Sequence, residues 1–489
     1  YLADLTSRYN AKTGASKAYT QKHRARMADP RVVSGFKPAT KELVYSLVIE
    51  RSKGSRMWDI DGNEYIDALN GFGSNMLGYQ PDVIQKALIE QIEKGYEIGP
   101  QHELAGEVCD LICDFTGFDR SGLCNTGSEA VVGAMRIART VTGRSIIVAF
   151  AGSYHGINDE VIVRGSKKLK TFPAAPGIMP EAVQNMLILD YGTDEALQII
   201  ESRAHEIAAV LVEPVQSRRA DFVPIEFLKK LRKLTEDTQT VLIFDEVISG
   251  FRFHPGGVQG MWGIKADIGT YGKVAGGGLS IGIVAGRKEY MDALDGGYWQ
   301  YGDGSIPEVG VTYFAGTFVR HPLALAGTKA SLQYMKEKGP KLQEDLNANT
   351  QYIADTVNAM CRRLKVPIFI VQYGSLWRIR FLADYHYQEL FFVLMRDKGI
   401  HILEGFPCYM TTAHSKEDIQ RMIACFEESL TELIAVGFIP AYEHPAADEN
   451  KNLNQPPVPG AKLGKDKDGN PAWFVSDEKE PVKYLMVTE

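Results

Sequence analysis

The sequence predicts an α/β fold in which a mostly parallel central sheet carries helices on both faces. Between residues 81 and 254, helical patterns alternate with short apolar runs. The clearest runs are residues 145–150, 186–190, 208–214 and 241–247. This alternation indicates right-handed strand-helix-strand crossovers, which build parallel sheets. Because ligands bind beyond the carboxyl ends of such strands, we expect the functional residues at that edge.

The composition limits the classes of partner. The chain has 489 residues, of which 45% are hydrophobic and 24% charged, and its formal net charge is -7. These values are typical of folded globular proteins. The acidic balance argues against a nucleic-acid partner, because affinity for phosphate backbones comes from clustered lysine and arginine. No uncharged apolar stretch is long enough to span a membrane, so we expect neither membrane insertion nor export.

The six cysteines are scattered along the chain, without the dense spacing of a disulfide scaffold or the CxxC pairs of a zinc site. Cys109 and Cys113 are one helical turn apart, but buried helix thiols are commoner than ligands, and no further residues complete a metal set. We therefore expect a cytoplasmic protein with no metal. The first residue is Tyr1 rather than Met, which favours a piece of a longer protein.

Changes of pattern divide the chain into four regions. We expect an N-terminal segment with a small β meander, a large α/β domain, a smaller α+β domain and an extended inter-domain linker. Their predicted bounds are 1–80, 81–321, 322–445 and 446–489. Asp61-Gly62 marks the turn of the meander. The α+β domain is predicted from a long helical region that begins at Pro322, a strand-rich patch at 368–381 and an amphipathic helix at 416–436.

The linker is rich in Pro, Asn, Lys and Asp and poor in periodic apolar residues. Trp473-Phe474-Val475 interrupts this polar stretch without any apparent helical or strand context. We therefore expect these three residues to dock on the surface of a neighbouring domain.

The strand at 241–247 carries Asp245 and Glu246 at its end, which places a carboxylate at the carboxyl edge of the sheet. A phosphate-loop ATPase holds Mg²⁺ with such an aspartate, but it also requires GxxxxGK[ST]. The nearest match has Asp267 in place of the first glycine and Val274 after the lysine. Two alternatives stay open: an aspartate that pairs with a protonated pyridine nitrogen, and a carboxylate that caps a strand or forms a salt bridge.

Lys273 lies in the segment TYGKVAGGGLSIG, between small residues. A single lysine next to glycines is usually a solvated loop residue. Here the glycines would let the backbone pass close to a flat ring, and the apolar neighbours Val274, Leu279 and Ile281 would desolvate the amine. Desolvation lowers a lysine pKa and makes the amine a nucleophile toward carbonyl compounds.

Two further segments carry polar groups suited to a ligand. In LCNTGSEAVVGAMRIAR, the residues Asn125-Thr126-Gly127-Ser128 precede a strongly helical stretch with Glu129 in its first turn. This pattern predicts a capping box, and the same helix N-terminus would bind a phosphate. In GSYHG, Tyr154 could stack its ring on another aromatic plane.

Together and in this order, these segments resemble the class III aminotransferases of pyridoxal 5′-phosphate (PLP) fold type I, especially the glutamate-1-semialdehyde aminomutase branch, over roughly residues 43–436. The resemblance implies that Lys273 forms the Schiff base with PLP and shuttles the substrate proton, and that pyridoxamine phosphate carries the amino group in a ping-pong reaction. The other implied site residues are Asp245 at the pyridine nitrogen, Glu213 near the cofactor O3′, Asn125, Thr126, Gly127 and Ser128 at the phosphate, Tyr154 on the ring with His155 and Gly156 completing its motif, and Val247 behind the ring.

The resemblance also implies a homodimer with shared active sites, in which Gly316 and Thr317 of YFAGTF reach the phosphate of the neighbouring subunit. Where the aminomutase branch has an arginine that clamps the substrate carboxylate, this chain has Lys37. Lysine is a point charge without the bidentate geometry of arginine, so Lys37 argues against a substrate with a free carboxylate. A solvated surface role for Lys37 is an equal alternative.

The flanking segments resemble the aminotransferase domains of hybrid polyketide synthases and nonribosomal peptide synthetases. That resemblance implies an amino-acid donor and, as acceptor, a β-keto thioester linked by phosphopantetheine to an acyl carrier protein. The alternative is an aminomutase or transaminase that acts on a free small keto acid or semialdehyde. A catalytically silent docking domain is disfavoured, because Lys273, Asp245 and the phosphate residues are all present.

Overall fold

The computed structural model describes residues 1–33 and 35–444, together with the backbone of three short strands beyond them. The helices are α1 (Leu2–Lys12), α2 (Gly14–His23), α3 (Asn70–Gly73), α4 (Asp82–Lys94), α5 (Leu104–Thr116), α6 (Gly127–Thr142), α7 (Pro180–Val183), α8 (Asp194–Ser202), α9 (Ile225–Asp237), α10 (Gly257–Trp262), α11 (Lys288–Met291), α12 (Pro322–Lys338), α13 (Lys341–Leu364), α14 (Leu390–Asp397) and α15 (Lys416–Ala435).

The strands are β1 (Ile49–Lys53), β2 (Arg56–Asp59), β3 (Glu64–Asp67), β4 (Arg120–Cys124), β5 (Ile146–Phe150), β6 (Val163–Gly165), β7 (Thr171–Pro173), β8 (Met186–Leu189), β9 (Ile207–Val212), β10 (Val241–Asp245), β11 (Ile268–Tyr271), β12 (Gly282–Gly286), β13 (Ile368–Tyr373), β14 (Leu376–Phe381), β15 (Ile400–His401), β16 (Cys408–Tyr409), β17 (Lys462–Lys465), β18 (Pro471–Ser476) and β19 (Tyr484–Met486). None of the helices among the described residues combines the length and the hydropathy that a membrane span requires.

A seven-stranded sheet forms the centre of the molecule, with the strand order β4-β12-β11-β10-β9-β5-β8. The neighbours from β11 to β8 all pair in parallel, and only β12 runs antiparallel to its two neighbours. The four apolar runs singled out in the sequence are β5, β8, β9 and β10. The predicted α/β fold with a mostly parallel sheet is therefore confirmed.

Helices cover both faces of this sheet, because successive strand residues point to opposite sides. On one face, Ile147 and Ile243 pack with the apolar side of α6. On the other face, Val148 and Phe244 pack with Leu228 of α9. The strands are buried on both faces, which explains why their sequences are almost continuously apolar.

The N-terminal and C-terminal parts of the chain pack together beside the large sheet. The predicted meander is confirmed as β1, β2 and β3, and β3 pairs in parallel with the C-terminal strand β15. The predicted C-terminal elements are also present, as α12, the hairpin of β13 and β14, and α15. A single apolar cluster contains Leu5 of α1, Trp377 of β14 and Phe426 of α15. The boundaries at 81, 322 and 446 stay predictions.

Most of the predicted linker lies outside the described residues. Within it, β18 pairs antiparallel with β17 and β19. Trp473, Phe474 and Val475 therefore belong to a strand, whereas no strand context was expected from the sequence. Their strong β preference gives the physical reason. The predicted docking of their side chains lies outside what the structure describes.

Candidate active site

A cavity of about 360 Å³ opens at the carboxyl edge of the large sheet. This volume is typical of a small-molecule site. Its walls come from the segments that follow β4, β5, β9, β10 and β11, which is where a parallel sheet is expected to bind ligands. The predicted residues that line it are Asn125, Thr126, Gly127, Ser128, Tyr154, His155, Gly156, Glu213, Asp245, Val247 and Lys273.

Lys273 begins the short 3₁₀ turn Lys273–Gly276 that follows β11. Its φ of +39° lies in the left-handed region, a conformation that costs a non-glycine residue about 1–3 kcal/mol and persists only where the surroundings enforce it. Burial lowers the pKa of Lys273, and the negative charges of Asp245 and Glu213 offset part of this effect. No hydrogen bond to its Nζ is found among the described residues. The amine is therefore available in the cavity as a nucleophile and a base.

Asp245 is the last residue of β10 and is only 6% exposed. Its Oδ2 lies 2.8 Å from Nδ1 of the buried His155. Its Oδ1 accepts hydrogen bonds from the backbone N–H of Val247 at 3.2 Å and from Thr270 Oγ1 at 3.1 Å. These contacts from three directions hold the carboxylate in one orientation at the cavity wall.

Glu213 follows β9 and connects two walls of the cavity. Its Oε2 accepts a hydrogen bond from the backbone N–H of Tyr154 at 2.8 Å, and its Oε1 accepts one from the backbone N–H of Ser217 at 2.8 Å. Burial raises the pKa of Glu213, while His155 and the two backbone donors act in the opposite direction. The carboxyl group thereby fixes the segment that presents the Tyr154 ring, which is 43% exposed.

The N-terminus of α6 forms the remaining wall. The predicted capping box is confirmed, because Thr126 accepts from the backbone N–H of Glu129 and the Glu129 side chain accepts from the backbone N–H of Thr126. The backbone N–H groups of Gly127 and Ser128 point out of the first turn, where an anion is favoured. Gly156 has a φ of +98°, and a Cβ there would collide with Ser128, so glycine keeps this end of the cavity open.

Three predicted site residues are not among those that line the cavity. Nζ of Lys37 donates to Oε2 of the buried Glu389 at 2.7 Å, which engages the ammonium group away from the site. Gly316 lies beside the Asn125 amide, and Thr317 is exposed. The predicted contact of Gly316 and Thr317 with a neighbouring subunit stays a prediction.

Arg252 is a structural residue that the sequence analysis did not single out, although it ends the motif that begins with Asp245. Its guanidinium group is fully buried and donates to Ser375 Oγ and to the backbone carbonyl oxygens of Met410 and Gly73. Arg252 thus joins the large sheet to the N-terminal and C-terminal parts beside the cavity. Burial lowers the pKa of Arg252 to about 10, and its positive charge contributes to the lowered pKa of Lys273.

Two serines that were not predicted from the sequence, Ser74 and Ser280, also line the cavity. Ser280 Oγ donates to the backbone carbonyl oxygen of Asn125 at 2.6 Å, which ties the loop after Lys273 to the start of α6. Ser74 comes from the N-terminal segment. No local sequence pattern distinguishes Ser74, because only the packing of the N-terminal segment brings it to the site.

The family model for class-III aminotransferases matches residues 38–430. The chain belongs to this family, and it is a PLP-dependent enzyme of the aminotransferase type. Among curated relatives, the glutamate-1-semialdehyde 2,1-aminomutase of Archaeoglobus fulgidus is 34% identical over 416 residues, which cover 81% of this chain and 94% of the relative. The enzyme of the same name from Ruminiclostridium cellulolyticum is 32% identical over 409 residues, with coverages of 80% and 91%.

Solved structures agree with this assignment. A transaminase with PLP bound superimposes with a TM-score of 0.77 at 25% identity and covers 87% of this chain and 99% of its own. A β-phenylalanine aminotransferase from Variovorax paradoxus gives a TM-score of 0.76 at 26% identity, with coverages of 90% and 99%. Both similarities extend over nearly the whole described chain.

The residues of the cavity fit PLP. Nε2 of the buried His155 has no hydrogen-bond partner among the described residues, and the Lys273 amine is likewise available to a bound group. The first turn of α6 suits a phosphate, and the Asp245 carboxylate suits a protonated ring nitrogen. Val247 offers an apolar surface to a flat ring, and its methyl groups pack so closely against Gly127 that any side chain there would collide with them.

Proposed function

We propose that this enzyme transfers an amino group between an amino acid and a small free carbonyl compound, either a keto acid or a semialdehyde. The observation that carries the proposal is the Lys273 amine, which shares one cavity with the carboxylate of Asp245. The similarity to aminomutases over about 80% of this chain supports a small free substrate, since the name of those relatives specifies glutamate-1-semialdehyde.

In this proposal Lys273 has two roles. Its amine would hold the cofactor covalently, and, once set free by the incoming substrate amine, it would accept the proton that leaves the substrate Cα and later return it as a general acid. The lowered pKa of Lys273 suits both roles, because the neutral amine is the form that attacks a carbonyl carbon and accepts a proton. Bound PLP supplies the electron sink for the Cα–H bond cleavage.

Asp245 would keep the ring nitrogen protonated, and His155 would hold the Asp245 carboxylate at 2.8 Å in the required orientation. The first turn of α6 would bind the phosphate, and Tyr154 and Val247 would enclose the ring. Glu213 would position the loop that carries Tyr154, because its carboxylate accepts a hydrogen bond from the backbone N–H of Tyr154. Each of these residues orients a group and takes no proton from the substrate.

A second candidate function is amino transfer to a β-keto acyl thioester on an acyl carrier protein. One observation favours it: Lys37, which stands where the aminomutase branch has its carboxylate-binding arginine, is already paired with Glu389 at 2.7 Å. A tethered thioester has no free carboxylate to bind at that position.

Product analysis distinguishes the two functions. The PLP-loaded protein, first incubated with an amino donor, is expected to convert free keto acids or semialdehydes to their amines, which mass spectrometry detects as new small-molecule products. In a parallel reaction, β-ketoacyl carrier protein is expected to keep its mass. Amination of the carrier-bound chain alone would refute the proposed free acceptor and support the second candidate.

We also propose that the enzyme acts as a homodimer. The segment that contains Gly316 and Thr317 exposes large apolar side chains, among them Tyr301 at 92%, Tyr313 at 76% and Phe318 at 58%. Such a patch is unusual for the free surface of a monomer. Sedimentation is expected to give twice the chain mass, and Tyr313→Asp, which puts a charge in the patch, is expected to shift the protein toward monomer. A monomeric wild-type protein at micromolar concentration would contradict the proposal.

A further inference from the structure

Strand β14 presents two arginines toward the large sheet. Trp377 and Ile379 of this strand pack into the cluster shared with α13 and α15, whereas Leu376 packs against the large domain. Because side chains alternate along a strand, Arg378 and Arg380 lie on the same side as Leu376. Both arginines therefore point into the space between β14 and the large domain.

The segment after Glu213 lies on the other side of this space. Arg380 Nη1 is 3.6 Å from Oδ1 of Asp221, so β14 and this segment are in contact. The same segment carries Arg218, whose guanidinium carbon lies 5.8 Å from the centroid of the Tyr154 ring. Since Tyr154 lines the cavity, the exposed Arg218 lies beside one of the cavity walls.

The charges of these three arginines are not balanced. Asp221 pairs with Arg380, but no ion pair or side-chain hydrogen bond of Arg218 or Arg378 is found among the described residues. Burial lowers the pKa of Arg378, and the positive charges of Arg380 and Arg218 lower it further. Cations held together without a counter-ion favour an anion between them.

We propose that Arg218 and Arg378 bind the carboxylate of the free amino-acid or keto-acid substrate beside the cavity. Arg380, held by Asp221, adds positive charge beside them. A guanidinium group suits this role because its planar donors match both oxygens of a carboxylate. The assignment deepens the proposed function and rests on it.

The proposed site removes the argument that Lys37, in place of an arginine, raises against a substrate with a free carboxylate. The ammonium group of Lys37 is bound to Glu389, and Glu404 adds a second carboxylate close to it. That corner of the molecule is consequently unsuited to a substrate carboxylate. Arg378 lies elsewhere, close to Tyr409, which interacts electrostatically with both Arg378 and Glu213 of the cavity wall.

Calorimetric titration of the PLP-loaded enzyme with succinate tests the proposal without requiring turnover. Arg378→Gln and the exposed Arg218→Gln are each expected to weaken succinate binding about 10- to 100-fold, the range for a lost charge-assisted hydrogen bond. Arg378→Lys is expected to give a smaller loss, because it keeps the charge but not the paired donors. The control is Arg363→Gln, whose side chain pairs with Glu427 on the distant helices α13 and α15.

The visible absorption of bound PLP and the melting temperature show whether each variant is folded. Unchanged succinate affinity in both Arg218→Gln and folded Arg378→Gln would overturn the proposal, as would a wild-type enzyme that does not bind succinate. Titration with 4′-phosphopantetheine forms the second arm, and arginine-dependent binding of that compound alone would refute the carboxylate assignment. The enzyme could also bind succinate through these arginines and yet show no activity on free carbonyl compounds. That result would support the carboxylate site and refute the proposed function.

Discussion

Replacement of Lys273 by alanine is expected to lower the rate of amino transfer by about 10⁴-fold or more. Positioned acid-base groups alone contribute about 10²- to 10⁴-fold, and in the proposed function the amine also attaches the cofactor. The structure provides a physical basis for this size of effect. The amine is desolvated, and the left-handed backbone at φ +39° aims it into the cavity. The measurement is the single-turnover rate with an amino donor, followed by the visible absorption of the cofactor.

The control for this experiment is Lys265→Ala, which removes an exposed lysine from the loop before β11. That variant is expected to keep the wild-type rate. Added methylamine is expected to restore part of the activity of Lys273→Ala, since a small amine fits the vacated space and replaces the lost base. Turnover of Lys273→Ala close to that of the wild type would show that another group moves the proton.

Replacement of Asp245 by asparagine is expected to lower the rate by about 10²- to 10³-fold, the usual loss for one preorganised electrostatic group. Asparagine has nearly the same shape, and its Oδ1 still accepts from the backbone N–H of Val247 and from Thr270. The change therefore removes mainly the negative charge. Cofactor binding, measured by retention of the visible absorption after gel filtration, is expected to persist.

The matched control is Glu246→Gln, at the next residue in the chain. Glu246 is fully buried, and its Oε2 accepts from the backbone N–H of Val258 at 2.7 Å and from Ser249 Oγ at 2.9 Å. It supports the start of α10 and does not line the cavity. Its substitution is expected to lower the melting temperature without changing the rate per folded molecule. Equal losses of rate in both variants would refute a specific electrostatic role for Asp245.

Many features of the fold and the site were predictable because local sequence encodes them. The strands β5, β8, β9 and β10 are short apolar runs, and the capping box of α6 needs only Thr126 and Glu129 three residues apart. Asp245 was placed at a strand end by the same logic. A parallel sheet then gathers the ends of its strands at one edge, which brings Lys273, Asp245 and Thr126 to one cavity.

Contacts between distant parts of the chain could not be predicted in this way. Lys37 has its carboxylate partner more than 350 positions later, at Glu389, so its sequence neighbourhood leaves its role open. Arg252 is buried with backbone carbonyl oxygens and a serine as its partners, and no charged residue near it in sequence marks this environment.

The sequence by itself determined the fold class, because apolar periodicity encodes the strands and helices, and its short motifs indicated the family and most of the residues that line the cavity. Only the tertiary structure decided that the N-terminal and C-terminal parts of the chain pack together, through the pairing of β3 with β15. It also decided which cations are paired, since it joins Lys37 to Glu389 and brings Arg378 within electrostatic reach of Arg218. The physical reason is that a charge acts through its neighbours in space, and packing rather than sequence distance selects those neighbours.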